Sequence, residues 1–270
     1  QNIDDAIAAL KSDGMEHGEA TLKGIADFAP ECAMMKVLGS EVLDFVVDEA
    51  VQIHGGMGYS AETRAELAYR DARINRIFEG TNEINRMLTV DMILKKAMKG
   101  EMDLMTPAMA VANELTGVPD FTSPSSDPFE RQLSYVANMK KAILMVAGSA
   151  AQKLMMSLGK EQEILMNIAD MAIWLYTIES TVLRVQKLAQ QAGNTDELSI
   201  QMAIMQVYTY EASEWIHSAG KEALLSFAEG DELKMMVMGM KRFCKTEDFN
   251  TKAARQLIAQ HLIEKNAYAL

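Results

Sequence analysis

The chain has 270 residues, 49% of them hydrophobic, and a formal net charge of −12. That is enough apolar material for a large core, and the length suits one large or two smaller domains. The acidic balance argues against nucleic acid and against an anionic membrane surface, because their phosphates would repel it.

Methionine is abundant at 22 residues and aromatic residues are scarce at 6%. Met, Ala, Leu, Glu, Gln and Lys dominate, and all of them tolerate or favour helix. Alternating β-branched runs are absent, so the expected fold class is all-α. Cys32 and Cys244 lie far apart within helical patterns. They read as two buried free thiols in a reducing compartment, either a bacterial cytoplasm or, as the alternative, a mitochondrion. No apolar run reaches transmembrane length and no signal peptide opens the chain. The first residues, QNIDDAIAALKSDG, hold no initiator Met and read as the interior of a longer protein.

In chain order, QNIDDAIAAL is a short amphipathic piece with Ile3, Ile7, Ala8 and Leu10 as its apolar contacts, and DGMEHG interrupts it. A long helix is expected from about Pro30 to Ile53, with proline in its first turn. Met35, Leu38, Val42, Phe45 and Val46 form a stripe on it at three- and four-residue spacing. Gly55-Gly56-Met57-Gly58 ends it. A second helix covers about Glu62 to Ile77, and a third covers Asn82 to Met98. The stretch around Gly117 to Pro128 holds a cluster of Pro and Ser and reads as a linker.

Five further helical segments follow the linker. One is closed by Gly193, the next opens on a Thr195 or Asp196 cap, and the last has Ala254, Leu257, Ile258, His261 and Leu262 along one face. The expected organisation is two helical bundles, 1–116 and 129–270, joined by a linker at 117–128.

Three pieces of the first half carry chemistry. At RIFEGTNEINRM, a carboxylate at Glu79 stands between two helical patterns, after Ile77 and Phe78 and before Gly80-Thr81. Gly80 permits a backbone conformation that a Cβ resists and a close approach to the main chain. Thr81 can cap the next helix, whose free N–H groups attract electron-rich groups. Glu79 is then either a solvated turn residue or a partly desolvated general base.

At QIHGGMGY, three glycines in four positions make either a helix cap and turn or a bare backbone surface for a planar or phosphorylated ligand. A helix precedes them, so this is not a strand-to-helix phosphate loop. His54 has no second ligand at helical spacing, and no metal site is expected. In YRDARINR, Arg70, Asp71 and Arg73 read as a local salt-bridge cluster.

The order and spacing of VQIHGGMGYS followed by YRDARINRIFEGTNEINRM closely resemble the C-terminal helical domain of the acyl-CoA dehydrogenases, over about the first hundred residues. The resemblance implies that Glu79 is the catalytic base and that Gly80 borders the acyl thioester. It implies that Thr81 and Glu83 lie at the flavin of FAD. Gln52, Gly55 and Gly56 are implied to reach the FAD of a neighbouring subunit.

It further implies a first unit that is part of a four-helix bundle and an additional helical domain, as in the very-long-chain type. The substrate would be a fatty acyl-CoA and the acceptor an electron-transfer flavoprotein, in a homo-oligomer. The family's N-terminal and flavin-binding β-domains do not precede these motifs here. The chain is therefore expected to be a C-terminal fragment, inactive alone and without bound FAD. Two alternatives stand beside this reading. One is an acyl-CoA oxidase. The other is a non-catalytic interaction module with adaptable contacts at Met202, Met205, Met235, Met236, Met238 and Met240, residues that core filling also explains.

Overall fold

A computed structural model describes residues 2–117, 125–193 and 198–268. Among these residues every regular element is a helix. The chain divides into two units, 1–102 and 103–270.

The first unit is built around one long helix. It opens with α1 (Asn2–Ser12) and α2 (His17–Asp27), which pack on each other. The helix α2 is not among the elements expected from the sequence; Glu16 starts it, its carboxylate accepting from the N–H groups of Gly18 and Glu19. Next, α3 (Ala29–His54) carries Pro30 in its first turn and stops at Gly55. Around it pack α4 (Arg64–Arg73), which runs on through a tight turn at Ile74–Arg76, and α5 (Asn82–Met98).

The buried face of α3 runs through Ala33, Met34, Val37, Ser40 and Val47. The stripe read from the sequence is a different face. Met35, Val42, Phe45 and Val46 are exposed, Phe45 by 66%, and Leu38 is half-buried.

The second unit contains α6 (Met105–Thr116), α7 (Pro128–Leu154), α8 (Gln162–Ala192), α9 (Ser199–Phe227), α10 (Gly230–Phe243) and α11 (Thr251–Lys265). α8 lies along α9; α7 packs on both, and α10 on α7 and α9. Their shared core is rich in methionine: Met139, Met145, Met171, Met205, Met236 and Met240 are buried with Ile178, Ile216, Leu224 and Phe243. Of the methionines singled out in the sequence, these include Met205, Met236 and Met240. Met202 is half-buried, and Met235 and Met238 are exposed. An unbranched, polarizable side chain suits irregular gaps between crossing helices.

The division at Met102/Asp103 falls earlier than the boundary expected after residue 116. The cause is α6, which packs on α7 and α10. Glu114 near its end accepts from Lys141 and Arg242, each at 2.9 Å. Most of the expected linker, 118–124, and the expected Thr195 or Asp196 cap lie outside the described residues. Gly193 closes α8 in the left-handed conformation, as expected. The run Pro128–Lys160 reaches a mean hydropathy of 1.3 over 18 residues. By length and composition it could cross a membrane, which corrects the sequence expectation. Here α6, α8, α9 and α10 pack against it.

The two cysteines differ. Cys32 is exposed, which corrects the expectation, whereas Cys244 is buried, and both are free thiols. Burial, with a smaller contribution from the charge of Glu214, pushes the Cys244 thiol from 9.0 up to about 12. Its folded pKa lies above the unfolded one, so its contribution is fully present below about pH 9 and is lost as pH rises towards 12. Stability should fall by up to about 1.4 kcal/mol per pH unit in that window. Urea unfolding at pH 8 and pH 10.5 checks this: Cys244→Ala should be the less pH-sensitive protein, and equal slopes would exclude the assignment.

Candidate active-site turn and a distal glycine face

The turn between α4 and α5 is where two consecutive residues adopt positive φ. Glu79 has φ 56° and Gly80 φ 82°. For glycine this is ordinary, but for glutamate it costs about 1–2 kcal/mol. The surroundings compensate through the carbonyl that follows. The Gly80 oxygen accepts from the Lys36 Nζ at 2.6 Å and from the Asn85 Nδ2 at 2.8 Å.

Lys36 also donates to the Asn82 Oδ1 at 2.8 Å, and the Asn82 Nδ2 donates to Ser40 and Glu41 on α3. Asn82 is 1% exposed. Glu41 pairs with Arg86 at 2.8 Å, and Arg76 pairs with Asp44 at the same distance. The turn is thus tied to the first two-thirds of α3 by a chain of polar contacts.

The Glu79 carboxylate itself is exposed and makes no hydrogen bond or ion pair among the described residues. Its apolar neighbours Ile77 and Phe78 are each about half exposed, at 49% and 48%. Of the two alternatives for Glu79, a solvated turn and a partly desolvated site, the described residues build the solvated one. Gly80 does not simply leave open space. A Cβ there would lie 2.9 Å from the Asn85 Nδ2, so the missing side chain makes room for Asn85.

Thr81 is the N-cap of α5, its Oγ1 accepting from the Ile84 N–H at 3.2 Å. Glu83 is held below the usual carboxylate range, first by its own backbone N–H and then by the Thr81 hydroxyl. The start of α5 is therefore largely capped by its own side chains rather than left open as an anion site.

Gln52, Gly55 and Gly56 form the second constellation, at the far end of α3. Gln52 is exposed, and a Cβ on Gly55 or Gly56 would meet nothing within 4 Å, so both present bare backbone to the outside. Gly58 is different: a Cβ would lie 2.5 Å from the Val51 carbonyl, so it is needed to close the turn. His54 bonds the Ala50 carbonyl as a capping residue. Lys36, beneath Gly80, and Gln52 stand about 24 Å apart along α3 at 1.5 Å per residue. Glu79, Gly80, Thr81 and Glu83 come together at one end; Gln52, Gly55 and Gly56 do not join them. The expected Arg70–Asp71–Arg73 cluster is instead an Arg70–Glu66 pair on α4, while Arg76 reaches Asp44. Among the described residues no group of His, Cys, Asp and Glu has metal-binding geometry.

Two family models, each described as acyl-CoA dehydrogenase, C-terminal domain, match this chain, at residues 4–94 and 138–242. A protein described as a probable acyl-CoA dehydrogenase of Bacillus subtilis is 38% identical over 269 residues, covering 99% of this chain and 45% of that protein. The human very long-chain specific acyl-CoA dehydrogenase, a mitochondrial protein, is 40% identical over 103 residues, 38% of this chain and 14% of that protein. The crystal structure of an acyl-CoA dehydrogenase complexed with FAD from Bacillus anthracis superposes with a TM-score of 0.93 at 41% identity, over 100% of this chain and 46% of that one.

The chain belongs to the acyl-CoA dehydrogenase family. It spans about half the length of the full-length relatives it matches. In this acyl-CoA dehydrogenase chain all seven residues singled out from the motifs fall within the match at 4–94.

Sequence reasoning missed Lys36, Ser40, Asn82 and Asn85. A signal was present: Asn82, Asn85 and Thr89 follow helical spacing, and all three are buried on the face of α5. A polar stripe at that spacing points to a buried hydrogen-bond network. Lys36 is the one cation within the apolar run CAMMKVLG.

Proposed function

We propose that this chain is the base-bearing part of an FAD-dependent acyl-CoA dehydrogenase that converts a fatty acyl-CoA to the trans-2-enoyl-CoA. The observation that carries the reading is the Glu79–Gly80 turn: an unpaired, exposed carboxylate on a strained backbone that α3 grips from below. A carboxylate with no partner of its own is free to accept a proton, and strain maintained at one residue is a common mark of a functional position.

In this reading a Glu79 Oε takes the proton from the carbon next to the thioester carbonyl. Bound FAD supplies the acceptor for the hydride that leaves the β-carbon. Removing a proton from carbon demands a base held in line and a dry site. This chain contributes the alignment; the exclusion of water around Glu79 belongs to parts of the enzyme beyond these residues. Gly80 keeps the main chain beside Glu79 free of side-chain bulk. Thr81 and Glu83 would face the flavin as a hydrogen-bonded pair, the Thr81 hydroxyl being shared with Glu83.

Gly55 and Gly56 fit a cofactor because their backbone is bare and open. Their distance along α3 from the Glu79 turn supports a second FAD, one held against a neighbouring subunit. The exposed apolar face of α3, with Met35, Val42, Phe45 and Val46, supports a homo-oligomer. An electron-transfer flavoprotein is the proposed acceptor for the reduced cofactor.

The test is anaerobic. The FAD-loaded enzyme containing this chain should bleach on addition of acyl-CoA and pass electrons to an electron-transfer flavoprotein. Oxygen serving as the better acceptor would indicate an oxidase instead. The 270-residue chain by itself should be helical by circular dichroism and give no dye reduction with FAD and acyl-CoA. Appreciable turnover by that chain would contradict the division of labour proposed here.

A further inference from the structure

We infer that Lys36 is a positioning residue for Glu79, acting through the Gly80 carbonyl. The inference rests on the reading of Glu79 as the base. The Glu79 side chain has no hydrogen bond or ion pair of its own among the described residues, so its direction is set by its backbone. That backbone is held in the left-handed region, where a glutamate does not rest unaided.

The group that holds it is the next carbonyl, Gly80 O, which receives two donors at once. Asn85 reaches back from α5 at 2.8 Å, and Lys36 reaches across from α3 at 2.6 Å. The two are unequal. Asn85 belongs to the helix that Thr81 starts, so its bond fixes the turn only relative to α5. Lys36 is 44 residues away in sequence and fixes it relative to the long helix. A hydrogen bond from an ammonium is also roughly twice as strong as a neutral one.

Lys36 is itself held in place. Its second bond is to the Asn82 Oδ1, and Asn82 is anchored by Ser40 and by Glu41, which pairs with Arg86. The Lys36 ammonium therefore closes a circuit running from α3 through the buried Asn82 to the turn. No side chain of that circuit hydrogen-bonds or pairs with the Glu79 carboxylate. Its effect is to aim the carboxylate.

Removing the ammonium should let the Glu79–Gly80 turn relax towards negative φ and swing the carboxylate away from its line of attack. A displacement of about 1 Å at a reacting group can cost roughly 100-fold in rate. In the FAD-loaded enzyme, Lys36→Met should lower kcat and the rate of flavin reduction by about that factor. KM, flavin content and thermal midpoint should change little. Lys36→Arg, which keeps a charged N–H donor, should recover most of the loss.

A merely structural lysine predicts the opposite split: lost flavin and a lower midpoint, in proportion to the lost rate. Wild-type kcat in Lys36→Met, or such a proportional loss, overturns the inference. Should Lys36→Met fail to fold, Lys36→Gln, whose shorter and neutral amide replaces the charged donor, decides: it should show a partial loss of kcat at unchanged flavin content and midpoint, and wild-type kcat or a proportional loss of all three overturns the inference. Coupling separates this inference from the reading beneath it. In a Glu79→Gln background, Lys36→Met should cause no further loss, and multiplying effects would overturn positioning. If Glu79→Gln alone is fully active, the reading of the base fails; if it is inactive while Lys36→Met is normal, positioning alone fails.

Discussion

Glu79→Gln should slow the chemical step of the FAD-loaded enzyme by about 100- to 10,000-fold, the range that follows loss of a general base. Glutamine keeps the size of glutamate and its hydrogen-bonding reach, but it cannot hold the abstracted proton. The variant should fold, bind FAD and bind acyl-CoA like the parent, because Glu79 is exposed and supports no contact that the fold depends on. Two readouts isolate the step. Flavin bleaching under anaerobic single turnover reports the whole dehydrogenation. Exchange of the substrate α-hydrogen with deuterated solvent reports proton abstraction alone. Both should fall together. Glu49→Gln, an exposed acid elsewhere on α3, serves for comparison and should leave both unchanged. Near-normal α-exchange in Glu79→Gln would move the base to another residue, whatever family the chain belongs to.

The helices were legible from the sequence where local rules act alone. Asn82–Met98 is bounded by a threonine cap and a glycine stop, and α5 occupies that span. Gly193 and Pro30 likewise mark real ends through backbone geometry that few residues share. The apolar stripe on α3 departs from the buried face for a different reason. Spacing identifies an apolar face, but α3 has apolar residues on two faces, and only packing decides which one the neighbours cover. Here α4 and α5 pack on α3, Ala33, Val37 and Val47 are buried, and Phe45 stays outside. The proline- and serine-rich stretch follows α6 and on sequence alone groups it with the first bundle. The ion pairs of Glu114 with Lys141 and Arg242 join it to the second, and long-range pairs leave no local mark.

The candidate site divides in the same way. Glu79, Gly80 and Thr81 were readable because an acid, a glycine and a cap at a helix junction are local chemistry. Their support was not. Lys36 stands out as the cation of an apolar run and Asn82 belongs to a polar stripe, but the two meet only when α3 and α5 lie side by side, and nothing local says that they do. Between the two surroundings open to Glu79 the sequence does not choose, because it places Ile77 and Phe78 beside the acid without saying which way they face; in this chain both are half exposed.

Gly80→Ala should have the second largest effect, and it tests the turn rather than the base. Two costs add at this position. An alanine at φ 82° is strained, and its Cβ would sit 2.9 Å from the Asn85 Nδ2, which donates to the Gly80 carbonyl. Strain of about 1–2 kcal/mol and a disturbed part-buried hydrogen bond of about 1–3 kcal/mol predict a loss of roughly 2–5 kcal/mol in the first unit. Gly100→Ala separates the two terms. Gly100 has φ 75° at the end of α5, but a Cβ there meets nothing within 4 Å. It should lose only the strain and keep full activity. If Asn85 moves to admit the new methyl group, the Gly80 carbonyl loses one of its two donors and Glu79 is re-aimed. The rate of flavin reduction in Gly80→Ala should then fall by about 100-fold. Chemical unfolding of both variants beside their anaerobic reduction rates provides the check. Equal stability losses in Gly80→Ala and Gly100→Ala would mean that Asn85 yields without cost, and an unchanged rate would mean that the grip on the carbonyl does not aim the base.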